Sequence, residues 1–305
     1  MAADFDVIVI GEGVAGLTVA SEIAGAGFKV ATLEAQLFGG LVININELDP
    51  APAGSNGGTT GGAEYASSLV EAAANAGVNS MNEPATGIES TGGMLKVLTD
   101  GGGRTARHVV IASGARLKKL GVPGEAEFEG KGVSQCADCD GPMYQNESVV
   151  VVGGGDSALQ EAIVLSHYCK EVHIVHRGGT FTGRDHFQQA VSAEPKITKT
   201  FNAEVTAIGG GQMVEKVSVK YADGRAEDVA CAGLFAYIGL EPNADFLPDA
   251  IKRDTHGFVT TSDTLETATP GVWAVGAVRS GCGGLLDDAI ADAKKAVAGI
   301  RARLA

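Results

Sequence analysis

The sequence predicts an α/β protein of two domains, each organised around a parallel βαβ module. Three observations carry that expectation. The chain has 305 residues, which at ordinary domain sizes allows roughly two units with a core each. A short β-branched run, a glycine turn and an apolar stretch at helical spacing occur in that order twice, once at the N-terminus and once from Val149. The internal spacing is the same in both copies, since Glu34 stands as far beyond Gly11 as His176 stands beyond Gly153.

Composition bounds the class. Hydrophobic residues make up 45% and charged residues 20%, the balance of a globular chain rather than a disordered one. The 44 glycines are about twice the usual share. They have no collagen period and cluster after apolar runs, where tight turns and close backbone approaches need them. The net charge of −14 has the wrong sign for coating nucleic acid or an anionic membrane. No uninterrupted apolar stretch is long enough for a bilayer span, and residues 1–6 lack the positive region of a signal peptide. Five cysteines are an odd number and too few for a secreted disulfide scaffold. The expectation is a soluble, cytoplasmic protein that binds neither nucleic acid nor membrane.

Each element has its reason. Residues 6–10, Asp-Val-Ile-Val-Ile, form a run without a polar break, which suits a strand buried on both faces of a parallel sheet. Gly11-Glu-Gly-Val-Ala-Gly16 follows at once, then Leu17, Ala20, Ile23 and Ala24 at helical spacing, stopped by Gly25 and Gly27. Residues 28–33 read as a second strand ending at Glu34. Residues 38–62 are a Gly/Pro/Asn-rich loop of the length that is usually functional or mobile. Residues 64–76 read as a helix, with weaker strands through Leu98 and another at 109–111 ending in Ala112-Ser-Gly114. The module then restarts with a strand at 149–152, a glycine turn Gly153-Gly-Gly-Asp-Ser-Ala158, a helix over 158–169 and a strand at 172–175. Residues 201–239 alternate in strand fashion. Residues 287–305 read as an amphipathic helix with acids first and Lys294, Lys295, Arg301 and Arg303 later, the order its dipole favours.

The glycine turns carry the first chemistry. A G-x-G-x-x-G motif between a buried strand and a helix is the context of dinucleotide binding. Gly11 permits the tight turn, Gly13 lets the backbone approach a pyrophosphate, and Gly16 lets helix and strand pack closely. Free N–H groups at the helix N-terminus then face the phosphates. Glu34 can accept from both ribose hydroxyls. The second copy, Gly153, Gly155 and Ala158, has His176 and Arg177 where the first has Glu34. A carboxylate there repels a 2′-phosphate and a cation attracts one, so the second site leans toward NADP. The plainer reading of His176 and Arg177 is a solvated strand end.

Cys136-Ala-Asp-Cys139-Asp140-Gly141 is the sharpest local signal. Two cysteines at this spacing on a turn or first helical turn reach each other's sulfurs. The rival is zinc, which usually requires a second pair; Cys169, Cys231 and Cys282 are scattered and no histidine cluster accompanies them, so no metal site is expected. Asp140 can shuttle a proton during thiol–disulfide exchange or simply stabilise a helix start. Cys169 and Cys231 read as small apolar core residues; Cys282, between glycines just before a helix, reads as a packed loop thiol, with a place near a bound cofactor as the other reading.

Taken together these motifs resemble the low-molecular-weight thioredoxin reductase family of FAD-dependent pyridine nucleotide-disulfide oxidoreductases. The resemblance spans nearly the whole chain. It rests on the two glycine turns, Gly39-Gly40, Ala112-Ser-Gly114, Gly121-Val-Pro-Gly-Glu125, the cysteine motif, Ile238-Gly-Leu-Glu-Pro-Asn243 and Thr269-Pro-Gly-Val-Trp-Ala-Val-Gly276. It implies two Rossmann-like dinucleotide-binding domains, the second inserted into the first: an FAD-binding domain of 1–117 and 244–305, and an NAD(P)H-binding domain of 118–243 that carries the cysteine pair. FAD would contact Gly11, Gly13, Val14, Ala15, Gly16, Glu34, Gly39, Gly40, Leu41, Asn46, Gly114, Gly276, Ala277 and Leu285. NADPH, with NADH as the other candidate donor, would contact Gly153, Gly155, Asp156, Ser157, Ala158, His176 and Arg177.

The implied mechanism runs from NADPH through FAD to the Cys136–Cys139 disulfide and on to a thioredoxin-like protein or small disulfide. Cys139 faces the flavin, Cys136 attacks the substrate, Asp140 donates the proton, and Lys131 helps grip thioredoxin. A homodimer is implied, as is rotation of the small domain. This sequence also departs from the family. A double arginine is His176-Arg177-Gly178 here, and a further arginine is Thr182, with Arg184 close by. Gly-Gly-Gln-Leu is Gly39-Gly40-Leu41-Val42, Gly-Asp is Gly276-Ala277, and the Arg-Gln that opens the last helix is Gly284-Leu285. Three polar flavin contacts are thereby lost. These departures keep three other readings open: a flavin-dependent dithiol oxidase, a ferredoxin-linked disulfide reductase, and a non-catalytic binding protein that retains the fold.

Overall fold

The computed structural model of the protein describes residues 3–45, 47–48, 52, 60–91 and 93–305. The chain divides into two compact units, Met1–Arg116 with Glu241–Ala305, and Leu117–Leu240. Each is Rossmann-like, and the second is inserted into the first.

In the first unit a parallel sheet runs in the order Asn79–Met81, Val30–Leu33, Phe5–Ile10, Gly102–Ile111 and Val272–Ala274. Strand Gly102–Ile111 is long enough to serve two partners along one edge. Its later part pairs with Val272–Ala274, while its first part pairs antiparallel with Met94–Thr99, which in turn pairs with Ala85–Thr91. Val7, Ile8, Val9 and Ile10 are all buried because both faces of the sheet are covered. Phe5, Ile8 and Ile10 enter one apolar cluster and Val7 and Val9 another. The second cluster is closed by helix Val14–Gly25 and by the last helix, Leu286–Leu304, whose Ala293, Ala296, Val297, Ile300 and Leu304 are buried. Burying one such aliphatic side chain contributes about 1.5–3 kcal/mol.

The inserted unit repeats the plan. Five parallel strands run Ile197–Phe201, Glu171–His176, Ser148–Gly153, Gly233–Tyr237 and Val133–Ser134. One face, with Val149, Val151, Val172 and Ile174, packs with helix residues Leu159, Ala162 and Leu165. The other, with Val150, Val152 and Val175, packs with Val205, Val217 and Val219 of a three-stranded antiparallel sheet, Ala203–Gly210, Val214–Tyr221 and Ala226–Ala230.

Some boundaries differ from the sequence pattern for local reasons. The second strand begins at Val30 rather than Phe28, because Gly27 turns at φ +92 and the Lys29 amide donates to the Asp6 carboxylate instead of to a ladder. Inside the expected loop lies a 3-10 turn, Gly40–Asn44; Asn46 and the stretch Ala53–Thr59 lie outside the described residues. Helix Asp185–Ala193 buries only Phe187 and Val191, too sparse a stripe to stand out in the sequence. Among the described residues no helix is long and apolar enough to cross a membrane.

Candidate active site

The first glycine turn is shaped by backbone contact. Gly11 has φ +106, and a Cβ on it would lie 2.4 Å from the Ala112 carbonyl oxygen; one on Gly16 would lie 2.0 Å from the Gly11 oxygen. Gly13 is the extended residue that opens helix Val14–Gly25. Its added Cβ would meet only the Gly39 oxygen, at 3.9 Å, so this stretch of backbone is open to a close approach. Val14 and Ala15 form the first helical turn. Glu34 is fixed at the strand tip: Oε2 accepts from the Glu12 amide at 2.8 Å, and Oε1 from Ala35 and Gln36 at 2.8 and 3.0 Å. Two carboxylate oxygens offer about four acceptor positions, so one remains for a hydroxyl.

Other expected contacts gather in the same unit. The Gly39 amide donates to the Glu12 carbonyl at 2.7 Å, and Gly40 and Leu41 open the 3-10 turn beside it. The Gly114 carbonyl accepts from Asn243 at 3.0 Å. Gly276 and Ala277 begin a 3-10 turn. The Gly276 amide donates to Asp292 Oδ2 at 3.0 Å, and Arg279 grips the same carboxylate through Nε and Nη2, both at 2.6 Å. Leu285 caps the last helix and is 58% exposed.

The second glycine turn borders a cavity of about 740 Å³ lined by Gly153, Gly155, His176, Arg177, Thr182 and Lys118, among others. That is the size of a small-ligand site. Ala158 packs against Gly153, where an added Cβ would come within 2.7 Å of its methyl. Asp156 and Ser157 open the helix. Asp156 receives the Arg184 backbone amide and Nε, both at 2.7 Å, so this arginine is committed inside the turn. The His176 ring lies over Gly154 and beside Phe181 and Phe201. Burial, reinforced by the charge of Arg177, holds its pKa below the usual histidine value, against a hydrogen bond with Thr180 that raises it. Positive charge at this strand end is therefore carried by Arg177.

Cys136 and Cys139 are joined as a disulfide, with Cα atoms 5.3 Å apart. Cys136 caps the short helix Ala137–Asp140, and its sulfur accepts from the Cys139 amide at 3.2 Å. Ser134 Oγ accepts from the Cys136 amide at 3.1 Å and donates to Asp140 Oδ2 at 2.6 Å. One hydroxyl thus ties the Asp140 carboxyl to the backbone of the half-buried Cys136. Cys139 is exposed. On the buried side, Glu161 Oε2 accepts from the Ala137 amide at 3.2 Å and the Tyr237 hydroxyl at 3.3 Å. Burial first, and the neighbouring Asp138 second, push the Glu161 carboxyl up to about 7. The remaining thiols are free; Cys169 and Cys231 are buried, and burial pushes them up to about 11 and about 12. Among the described residues no three His, Cys, Asp or Glu side chains are placed to hold a metal ion.

Ser134, Glu161, Arg279 and Asp292 are absent from the sequence reading. Glu161 and Asp292 did leave a signal: each is a charge within the apolar stripe of a helix, beside Ala162 and Ala293 respectively.

This geometry has close counterparts. The pyridine nucleotide-disulphide oxidoreductase family matches residues 5–299. Thioredoxin reductase of Treponema pallidum is 35% identical over 92% of this chain and 91% of its own length. That of Mycolicibacterium smegmatis is 32% identical over 92% and 94%. Among solved structures, Lactococcus lactis thioredoxin reductase superimposes with a TM-score of 0.94 at 33% identity, covering 98% of both chains. That of T. acidophilum gives 0.92 at 32% identity, covering 99% of both chains. The fold and site define a two-dinucleotide redox protein with a cysteine pair. The chain belongs to the pyridine nucleotide-disulphide oxidoreductase family.

Proposed function

We propose that the protein is a flavoprotein disulfide reductase that passes electrons from NADPH, via FAD and the Cys136–Cys139 pair, to a protein disulfide of the thioredoxin type. The observation that carries this reading is the disulfide itself, placed at a helix start with Ser134 linking Asp140 to Cys136.

The residues present fit both cofactors. At the first turn, open backbone at Gly13 and the free acceptor position of Glu34 suit an adenine dinucleotide with an unmodified ribose. Gly39, Gly40, Gly114, Gly276 and Ala277 are the further candidates to hold FAD. Gly153, Gly155, Asp156, Ser157, Ala158 and Arg177 border or shape the second site, where NADPH would lie. Bound FAD supplies a two-electron carrier between a nicotinamide and a disulfide.

The protein's own groups account for exchange with substrate. Once the pair is reduced, the Cys136 thiolate attacks one sulfur of the substrate disulfide; a mixed disulfide forms and the substrate's S–S bond breaks. The departing sulfur takes a proton from Asp140, which Ser134 orients. Cys139 passes its proton to the emptied Asp140 carboxylate and attacks the Cys136 sulfur; the substrate's second sulfur leaves with that proton and the Cys136–Cys139 bond re-forms. The reading extends to a cytoplasmic homodimer, by resemblance to the family.

A second reading, reduction by a donor other than NADPH or operation as a dithiol oxidase, draws support from specific positions. Leu41, Ala277 and Leu285 offer no polar side chain, and Arg184 is committed to Asp156, leaving Arg177 to recognise a 2′-phosphate. One experiment separates the readings. The purified protein is titrated with NADPH and then NADH in the visible range, and thioredoxin reduction is measured for the protein and for Cys136→Ser. The expected result is a yellow protein bleached by NADPH, with thioredoxin reduction lost in the variant. A colourless protein that does not take up FAD, or a variant that reduces thioredoxin normally, overturns the proposal. Bleaching by reduced ferredoxin alone, or oxygen uptake with dithiols alone, selects the second reading.

A further inference from the structure

Glu161 is a charge in an apolar setting. It is 9% exposed and sits on the face of helix Asp156–Tyr168 that buries Leu159, Ala162 and Leu165. Its Oε2 holds the amide of the peptide that joins Cys136 to Ala137, and Ala137 is fully buried. The groups that bear on this carboxyl are Asp138 from the cysteine helix and Tyr237 from strand Gly233–Tyr237, and neither supplies positive charge. Tyr144 from the following 3-10 turn faces Asp140, Cys169 and Cys231. Lys196 bears on Cys169 at the far end of the Glu161 helix.

Two carboxyls therefore reach the cysteine segment by separate links: Asp140 through Ser134, and Glu161 through the Ala137 amide. We propose that Glu161 is a positioning residue for the redox couple, whose buried charge governs how readily the Cys136 sulfur exists as a thiolate after the disulfide opens. This rests on the reading of Cys136 and Cys139 as the redox couple.

The electrostatics follow from burial. Two electrons and one proton convert the disulfide to one thiol and one thiolate. An ionised Glu161 repels that thiolate in a poorly screened setting, whereas a protonated one does not. Thiolate formation therefore draws a second proton, from solvent, onto Glu161. The balance is two electrons into the S–S bond, one proton on a sulfur and one on the carboxyl. Because the Glu161 carboxyl already titrates near neutrality with the disulfide closed, the thiolate and Glu161 lose their protons in two coupled steps that belong to the pair. Thioredoxin-type exchange requires the thiolate, so Glu161 sets the pH at which the reduced protein attacks its substrate.

The test uses the full-length protein reduced with dithiothreitol and freed of reductant. Iodoacetamide alkylation at Cys136, located by mass spectrometry, is followed from about pH 5 to about pH 10, a span covering carboxyl and thiol titration. The wild-type profile is expected to show two inflections. Glu161→Gln keeps an oxygen for the Ala137 amide and removes only the charge. It should give one inflection, displaced downward by about one unit, and alkylation up to about tenfold faster at neutral pH. Tyr237→Phe removes the hydrogen bond that lowers the Glu161 pKa and should move the lower inflection upward.

Superimposable profiles for wild type and folded Glu161→Gln overturn the inference, because a purely structural role is satisfied by glutamine. Should Glu161→Gln fail to fold, an unmoved lower inflection in Tyr237→Phe overturns it. If dithiothreitol fails to release both thiols, or they do not rejoin on oxidation, the redox reading of the pair itself fails, a separable result.

Discussion

The Arg279–Asp292 pair gives the sharpest test of how the first unit holds its last helix. Its side chains are 15% and 8% exposed, and the pairing is two-pronged at 2.6 Å each. Asp292→Ala removes the partner of a desolvated guanidinium and, in the same step, the acceptor of the buried Gly276 amide. Removing one member of a buried pair costs about 3–5 kcal/mol, and the orphaned amide accounts for about 1–3 of that. Arg279 keeps a bond from Nη1 to the Ser280 carbonyl and some access to water, so the expected loss lies near the lower end, about 3 kcal/mol. Asp292→Asn retains an acceptor oxygen and should lose about 1–2 kcal/mol. The assay is urea unfolding followed by tryptophan fluorescence. Trp273 is the single tryptophan and is 1% exposed in the core of this unit, so its signal reports this unit. A loss below about 1 kcal/mol for Asp292→Ala, or equal losses for alanine and asparagine, would refute the argument that charge burial dominates here.

Three more outcomes are expected. Arg177→Gln should raise KM for NADPH by about 10- to 100-fold, the worth of one charge-assisted phosphate contact, while leaving KM for NADH nearly unchanged in steady-state assays. In the oxidised native protein, Cys169 and Cys231 should resist a thiol reagent at neutral pH because burial keeps them protonated; three thiols should appear on unfolding and all five after reduction as well. Glu161 links stability to pH: its folded value of about 7 lies above the ordinary 4.5. Its contribution is therefore full below 4.5 and is lost as pH rises through 7, about 3 kcal/mol in all. Urea unfolding followed by circular dichroism at pH 5 and pH 7.5 should show that fall in wild type and a flatter profile in Glu161→Gln.

Much of the fold was legible because the signals are local. Four consecutive buried residues, Val7 to Ile10, announce a strand covered on both faces, and the glycine spacing that follows them is a local pattern, although the carbonyl that excludes a side chain at Gly11 comes from Ala112, just past a strand distant in sequence. The cysteine pair was legible for the same reason. Other features depend on partners distant in sequence. Val133–Ser134 is too short to read alone and exists as a strand because Leu234 and Phe235 pair with it. His176 reads as a cation beside Arg177, yet Phe201 and Phe181 fold against it and favour its neutral form. Glu161 and Asp292 fall within the apolar stripes of their helices, but the sequence does not say what a charge there would hold. Their worth lies in the amides they hold, of Ala137 and Gly276, which no spacing rule connects to them.

The insertion also has an architectural consequence. Within the first unit, Gly114 is bonded to Asn243 and Arg116 approaches Glu241 at 3.4 Å. Within the second, the Lys118 amide donates to the Gly239 carbonyl at 2.9 Å. Each unit thus closes its own doorway, and the outgoing and returning chain are neighbours on both sides of the threshold. To the outer domain, everything from Leu117 to Leu240 is topologically a hairpin loop, whose closure cost rises only slowly with its length, by about 0.6 kcal/mol per doubling. Evolution or an engineer can therefore exchange that cassette, or bridge Arg116 to Glu241 with a short turn, without reopening the sheet that surrounds it.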